Sequence, residues 1–103
     1  MIEGPTNPLE IASRVLKLET SHLVNETPSI NSRGMSILDR WALNEPEKLK
    51  ALETHSQSGL LMRVIGQQLK EAQVLESPEG LEMLRKGLAA HEVLEMYGVS
   101  MSI

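Results

Sequence analysis

The strongest constraint on the fold is a helix-start signature that occurs at three places in the chain. In each place a helix-capping residue precedes a proline and a glutamate: Asn7-Pro8-Leu9-Glu10, Asn44-Glu45-Pro46-Glu47 and Ser77-Pro78-Glu79-Gly80. Proline is tolerated in the first helical turn, because the N–H that it lacks has no partner there and its φ is already helical. In the first two places, a glutamate three residues after the cap completes a capping box. Since no β-branched residues alternate over a strand-length run, the sequence predicts an all-α fold.

These signals and the spacing of apolar residues predict a small bundle of four to five short helices, with residues 1–103 forming a single helical domain. The helices are expected at about 8–25, 36–43, 46–56, 59–76 and 78–97. The apolar face shifts at Ser56-Gln57-Ser58-Gly59, which favours a break there, although one continuous helix over 46–76 stays an alternative. Gly98 is a typical C-terminal cap. The apolar residues beyond it (Val99, Met101 and Ile103) could pack back on the helices or engage a partner.

Residues 25–36 are rich in turn-forming residues and poor in apolar ones, so we expect a loop or linker between the N-terminal helix and the remaining bundle. The N-terminal helix has apolar residues over half of its circumference, which is an unusually wide face. We therefore expect it to be a separable arm that docks on, or exchanges with, another chain.

Composition excludes several classes of protein. The absence of cysteine rules out a disulfide scaffold, a thiolate zinc site and an iron–sulfur cluster. No apolar run approaches the ~18 residues of a membrane-spanning helix, and no signal-peptide pattern follows Arg14, the first basic residue. The sequence thus predicts a cytoplasmic protein without membrane insertion. With no Gly-x-Ser-x-Gly turn and no phosphate-cradling glycine loop, it also predicts no enzymatic activity and no cofactor.

The charge distribution argues against nucleic acid as a partner. The formal net charge is −4, and the whole acidic excess lies in residues 71–103, where six glutamates face only Arg85 and Lys86. Proteins that bind nucleic acid need a basic patch, because neutralising phosphates supplies much of their affinity. A transcriptional or nucleic-acid-binding regulator is therefore the weakest of the alternatives.

Burial must come from aliphatic side chains, since 41% of the residues are apolar but only 2% are aromatic. Wide apolar faces on several short helices are more than a small monomer can easily cover. The sequence therefore predicts a non-enzymatic protein–protein interaction module, such as an adaptor, a small chaperone, an anti-activator or an assembly subunit. Its partner would be another protein or a further copy of itself. The predicted partner-binding residues lie in two segments: Leu9, Ile11, Val15, Leu16, Leu18, Leu60, Leu61, Met62 and Ile65.

A metal-binding helical bundle is the main alternative function. Glu19 and His22 have the Glu-x-x-His spacing that places two ligands on one helix face in di-iron carboxylate bundles. His55 and His91 also fall on the apolar arcs of their predicted helices, so the three imidazoles could converge on a metal ion. Histidines of this kind more often hydrogen-bond at the edge of a core, and no metal ligand is therefore assigned.

Overall fold

The computed structural model describes residues 9–103, which fold into seven helices without a strand. The all-α class is confirmed, whereas the predicted number of four to five helices is wrong. The helices are α1 (Ala12–Val15), α2 (Leu18–Asn25), α3 (Ser32–Asn44), α4 (Pro46–His55), α5 (Gln57–Leu75), α6 (Pro78–Arg85) and α7 (Ala90–Met96).

The longest helix, α5, is the centre of the architecture, and it packs against α3, α4, α6 and α7. A main apolar core is built around Trp41, Leu49, Leu60 and Val64, all fully buried. A second, smaller cluster gathers the end of α5, α6 and α7 around Leu75, Val93 and Leu94. No described helix is long and apolar enough to cross a membrane.

The predicted helix over 8–25 is wrong, because the chain becomes extended at Leu16 and Lys17 and separates α1 from α2. The break is stabilised from a distance: Oε2 of the buried Glu53 accepts a hydrogen bond of 2.8 Å from the Lys17 N–H. A carboxylate at the start of a helix satisfies an otherwise unpaired N–H. Glu53 therefore serves α2 as a cap that comes from α4.

The same arrangement starts α1, which had been expected to belong to a separable arm. Asp39 of α3 accepts hydrogen bonds from the main-chain N–H groups of Leu9 (3.1 Å) and Ala12 (2.8 Å). Leu9, Ala12 and Leu16 are buried in the main core, and α1 packs on α3 and α4. The predicted cap at Asn7 and the helix start at Pro8 lie outside the described residues.

The helix expected at 36–43 begins earlier, at Ser32. The loop predicted over 25–36 is therefore shorter than expected, because its last residues belong to α3. Asn31 caps α3 by accepting hydrogen bonds from the N–H groups of Arg33 and Gly34. Gly34 allows α3 to approach α5 closely, since a Cβ there would lie 2.2 Å from Oε1 of Gln68 and 2.8 Å from a methyl group of Ile30. The contact with Gln68, which sequence spacing does not reveal, helps to explain a helix in a stretch rich in turn-forming residues.

The predicted break between 46–56 and 59–76 is confirmed, because Ser56 separates α4 from α5 and its hydroxyl accepts from the Gly59 N–H. The predicted cap of α4 at Asn44 is wrong, since Asn44 is the last residue of α3 and Glu45 precedes α4. Ser77 does cap α6 as expected, by accepting from the Gly80 N–H at 3.0 Å.

The predicted helix over 78–97 is also wrong, because Gly87 ends α6 with a positive φ of 102°. The Gly87 N–H donates to the Leu84 carbonyl and the Leu88 N–H to the Met83 carbonyl, which is a Schellman motif. A second helix, α7, then begins at Ala90, and Glu92 accepts from the Ala89 N–H at 2.8 Å.

Replacement of Gly34 by alanine tests the close packing of α3 on α5. We expect Gly34→Ala to lower the free energy of unfolding by about 1–3 kcal/mol, because the new methyl group overpacks against Gln68 and Ile30. Gly66→Ala is the matched control in α5, where a Cβ has no neighbour within 4 Å. Because alanine has a better helix propensity than glycine, Gly66→Ala should raise the free energy of unfolding by up to about 1 kcal/mol. Urea unfolding followed by circular dichroism measures both; equal effects of the two variants would contradict the close approach at Gly34.

Candidate functional site

The chain after α7 returns across the bundle and occupies a groove between α3, the start of α4 and α5. Gly98, with a φ of 74°, makes this reversal possible. Its N–H donates to the Glu95 carbonyl and the Val99 N–H donates to the Leu94 carbonyl at 2.9 Å, a second Schellman motif. The residues that follow, 99–103, form neither helix nor strand, and we call them the 99–103 segment.

Side chains alternate along the 99–103 segment as they do in an extended peptide. Val99, Met101 and Ile103 are half-buried, whereas Ser100 and Ser102 are exposed. A period of two residues is the spacing at which an extended chain presents successive side chains to opposite sides. Val99 and Met101 pack on the second cluster and Ile103 on the main core, so the segment bridges the two. The expectation that these three residues could pack back on the helices is confirmed.

The main chain of the segment is bound by side chains of the bundle. Three successive carbonyls each accept from a different side chain, and one N–H donates to a carboxylate. The four hydrogen bonds are Gln67 Nε2 to Ser100 O (2.7 Å), Trp41 Nε1 to Met101 O (2.9 Å), Arg63 Nη2 to Ser102 O (3.0 Å) and Ile103 N to Glu45 Oε2 (3.1 Å). Because these bonds involve only main-chain atoms of the segment, they do not depend on its side chains.

A network within the bundle fixes the groove side chains in place. The Arg63 guanidinium lies 4.9 Å from the centre of the Trp41 ring, in a cation–π contact. Arg63 also donates through Nη1 to Oε1 of Gln67, and Gln67 donates through Nε2 to Oε2 of Glu71. Glu71 in turn accepts a 2.6 Å hydrogen bond from Arg40.

Gln67 is the pivot of this network because it is only 2% exposed and its amide group is fully engaged. Its oxygen is held by Arg63, so its nitrogen must point toward Glu71 and Ser100. Unpaired polar groups are costly when buried, and a buried amide with defined partners is therefore rigid. The groove presents preorganised donors to the carbonyls of whatever main chain lies in it.

Glu45 gives the groove its one acceptor. The main-chain N–H of Ile103 has the largest effect on the Glu45 carboxylate and holds its pKa below the usual range. Lys48 also lowers this pKa, whereas burial raises it. The ionised carboxylate is thus the form that binds the segment.

The structure distributes the predicted partner-binding residues over very different environments. Leu9, Leu16 and Leu60 are buried in the main core, while Leu18 (72% exposed) and Met62 (69% exposed) face outward. The other four pack against the core while partly exposed: Ile11, Val15, Leu61 and Ile65. Contact of Leu18 and Met62 with a partner stays a prediction.

The residues of the metal alternative are not brought together. Glu19 and His22 are exposed on α2, and His55 and His91 are exposed on α4 and α7. Within residues 9–103, no group of three or more histidine or carboxylate side chains is placed to hold a metal ion.

Sequence reasoning missed Trp41, Arg63, Gln67 and Glu45 as binding residues. One signal was available: Arg63, Gln67 and Glu71 follow one another at four-residue intervals, which places three polar side chains in a row on a helix rich in apolar residues. No sequence signal indicates that this row meets the carbonyls of residues 100–102.

Comparisons of the chain with protein families, with curated proteins and with solved structures found no match. The groove and its contacts are therefore the basis for any functional proposal.

The Glu45 contact predicts that acid weakens docking of the 99–103 segment. A lowered pKa in the docked state means that this stabilisation is complete above the ordinary glutamate pKa and is lost as the pH falls through the lowered value. The Trp41 indole N–H resonance in NMR spectra should therefore shift toward that of the undocked state as the pH falls below about 4.

Glu45→Gln keeps an acceptor oxygen but cannot titrate in this range, so it should lack this step in the indole titration. Glu47→Gln, which removes a neighbouring exposed carboxylate, should leave the step unchanged. An identical acid-induced shift in wild type and Glu45→Gln would show that another group is responsible.

Proposed function

We propose that this protein is a non-enzymatic protein–protein interaction module that binds an extended segment of a partner protein. The binding site is the groove that the 99–103 segment occupies within the chain. The observation that carries the proposal is the recognition of three successive carbonyls by Gln67, Trp41 and Arg63. When an extended peptide adds to a sheet edge, main-chain hydrogen bonds supply affinity and alternate side chains supply specificity. The groove offers the same division of roles with side-chain donors in place of a sheet edge.

The 99–103 segment defines what a partner must offer. A bound segment needs inward-facing side chains at alternate positions, as the 99–103 segment has, with apolar ones at the places of Val99 and Ile103 to cover the two apolar clusters. It can carry small polar residues between them, because Ser100 and Ser102 are exposed. The expected partner is therefore an exposed, extended stretch of protein whose inward-facing side chains alternate with small polar ones and are apolar at the first and last positions.

The position of the 99–103 segment in the groove supports a competition between this segment and a partner. A short connection after α7, Tyr97 and Gly98, keeps the segment at an effective concentration on the order of millimolar near the groove. Only three of its side chains are half-buried, so few apolar contacts oppose its release. Segments with few apolar contacts are the ones that open at low free-energy cost. A partner with better side-chain contacts can thus replace it without unfolding the bundle.

The test uses the full chain with a weakened segment, Met101→Ser combined with Ile103→Ser. We expect this variant to keep its helices but to lose the docked Trp41 indole N–H resonance. A synthetic peptide, Gly-Val-Ser-Met-Ser-Ile, should then restore that resonance in a saturable titration. A peptide in the order Gly-Val-Met-Ile-Ser-Ser, with the same composition but no alternation, should bind at least about tenfold more weakly, because it loses apolar contacts worth about 1–2 kcal/mol.

A groove variant provides the control on the protein side. Arg63→Gln in the weakened background should reduce peptide affinity about tenfold, since it removes a charge-assisted hydrogen bond. Lys70→Gln, an equal charge change at an exposed position of α5, should leave the affinity unaltered. The proposed function is wrong if the docked Trp41 indole N–H resonance is lost, which shows that the groove is empty, and the alternating peptide still does not bind.

A further inference from the structure

A cleft of about 690 Å³ lies beside the groove, where α3, the end of α5 and α7 meet. Its polar lining includes Arg33, Ser36, Arg40, His91 and the carboxylate of Glu71, and its apolar lining includes Leu94 and Met101. The volume falls in the range of ordinary ligand-binding clefts. Met101 belongs to the 99–103 segment, so the cleft and the groove meet at this residue.

The basic lining follows from the spacing of residues along α3. Arg33 and Arg40 are seven residues apart, which is about two helical turns, and Ser36 and Ile37 lie between them. All four therefore share one face of α3, and that face forms a wall of the cleft. Two guanidinium groups on one wall are unusual in a chain with a net charge of −4.

Hydrogen-bond donors exceed acceptors in this cleft. Arg40 donates through Nη2 to Glu71, but its buried Nε has no hydrogen-bond partner in the part of the chain that the structure describes. Arg33 makes one long contact of 3.4 Å with Glu76, whose side chain is two-thirds exposed. Glu71 already accepts from both Arg40 and Gln67. Each guanidinium has five N–H donors, and each of these two makes one side-chain hydrogen bond to a carboxylate. Donors other than the buried Arg40 Nε therefore remain for a further acceptor.

Met101 is the residue of the segment that reaches this cleft, and it offers no such acceptor. Its thioether packs on the second cluster, and a thioether sulfur is only a weak hydrogen-bond acceptor. Glutamate has a side chain of similar length and ends in a carboxylate, the group that guanidinium binds best.

We propose that the partner segment carries an acidic residue, glutamate in its simplest form, at the position that Met101 occupies in the chain's own segment. This inference rests on the proposed function, since it names the chemistry of the segment that binds in the groove. The carboxylate lies in the cleft beside Arg33 and Arg40 and adds an ion pair that the intramolecular segment lacks. A partner therefore displaces the 99–103 segment through a charged contact in addition to its apolar ones.

The first experiment compares Met101→Glu with Met101→Gln in the full chain. The two side chains have nearly the same shape and differ in charge, so the loss of the thioether packing is common to both. We expect hydrogen exchange of the Trp41 indole N–H to be about three- to tenfold slower in Met101→Glu at low salt. At 0.5 M salt the difference should shrink, because partly exposed ion pairs are screened.

Arg33→Gln identifies the cleft as the origin of the effect. When Arg33→Gln is combined with each of the two Met101 variants, the difference in their Trp41 indole exchange rates should fall by at least half. Arg14→Gln has the same charge change on α1, at an exposed pair with Glu10, and should preserve the full difference. Equal exchange rates in Met101→Glu and Met101→Gln would overturn the inference.

Peptide titrations distinguish a failure of this inference from a failure of the proposed function. The weakened full-length variant is titrated with Gly-Val-Ser-Glu-Ser-Ile, its glutamine counterpart and the methionine peptide. Tighter binding of the glutamate peptide than of the glutamine peptide, by about threefold or more, supports the acidic position. If the methionine peptide binds but the other two are equal, the groove function stands and the acidic position is wrong. If none of the three binds, the proposed function itself fails.

Discussion

Main-chain groups in irregular segments must find hydrogen-bond partners when they leave water, and this chain meets that need with buried and half-buried polar side chains from α3, α4 and α5. Asp39 and Glu53 receive the N–H groups that start α1 and α2. Gln68 accepts from the Asn31 N–H and donates to the Ser29 carbonyl, so one amide holds both sides of the turn before α3. Gln67 donates to the Ser100 carbonyl of the 99–103 segment, while its oxygen accepts from Arg63. Short helices joined by irregular segments become a defined structure through these contacts.

The candidate site is a special case of this scheme. In the first three contacts the side chain serves a segment within the body of the chain, whose removal would expose the main core. In the groove, the segment follows the last helix and only three of its side chains are half-buried. The same chemistry that fixes the other connections is therefore available to a different main chain at this one place.

The sequence predicted the features that depend on neighbouring residues and missed those that depend on distant ones. Ser56 and Ser77 cap helices through residues three positions away. The cap at Ser77 was predicted, whereas α5 begins at Gln57, inside the predicted break and two residues before its expected start. The break between α1 and α2 contains no glycine or proline that could predict it. Its cap is Glu53, which lies 36 residues further along the chain. The end of α6 was readable in principle, since Gly87 followed by an apolar residue is typical of a Schellman motif.

The candidate site was predictable only on one side. The alternation of Val99, Met101 and Ile103 is visible in the sequence and indicated a segment able to pack back. The other side requires the crossing of α3 with α5, which brings Trp41 next to Arg63. That crossing depends on the close approach at Gly34, in a stretch whose composition suggests a loop. Local patterns contain no information about such a contact.

The bridging position of the 99–103 segment also has a consequence for cooperativity. The main core and the second cluster, which the end of α5 forms with α6 and α7, are separate apolar units, and the segment packs on both. Besides the continuous helix α5, it is a second mechanical link between them. While it is docked, opening of the α6–α7 unit must also remove Ile103 from the main core. An occupant that covers only one of the two clusters would leave α6 and α7 free to open as an independent unit.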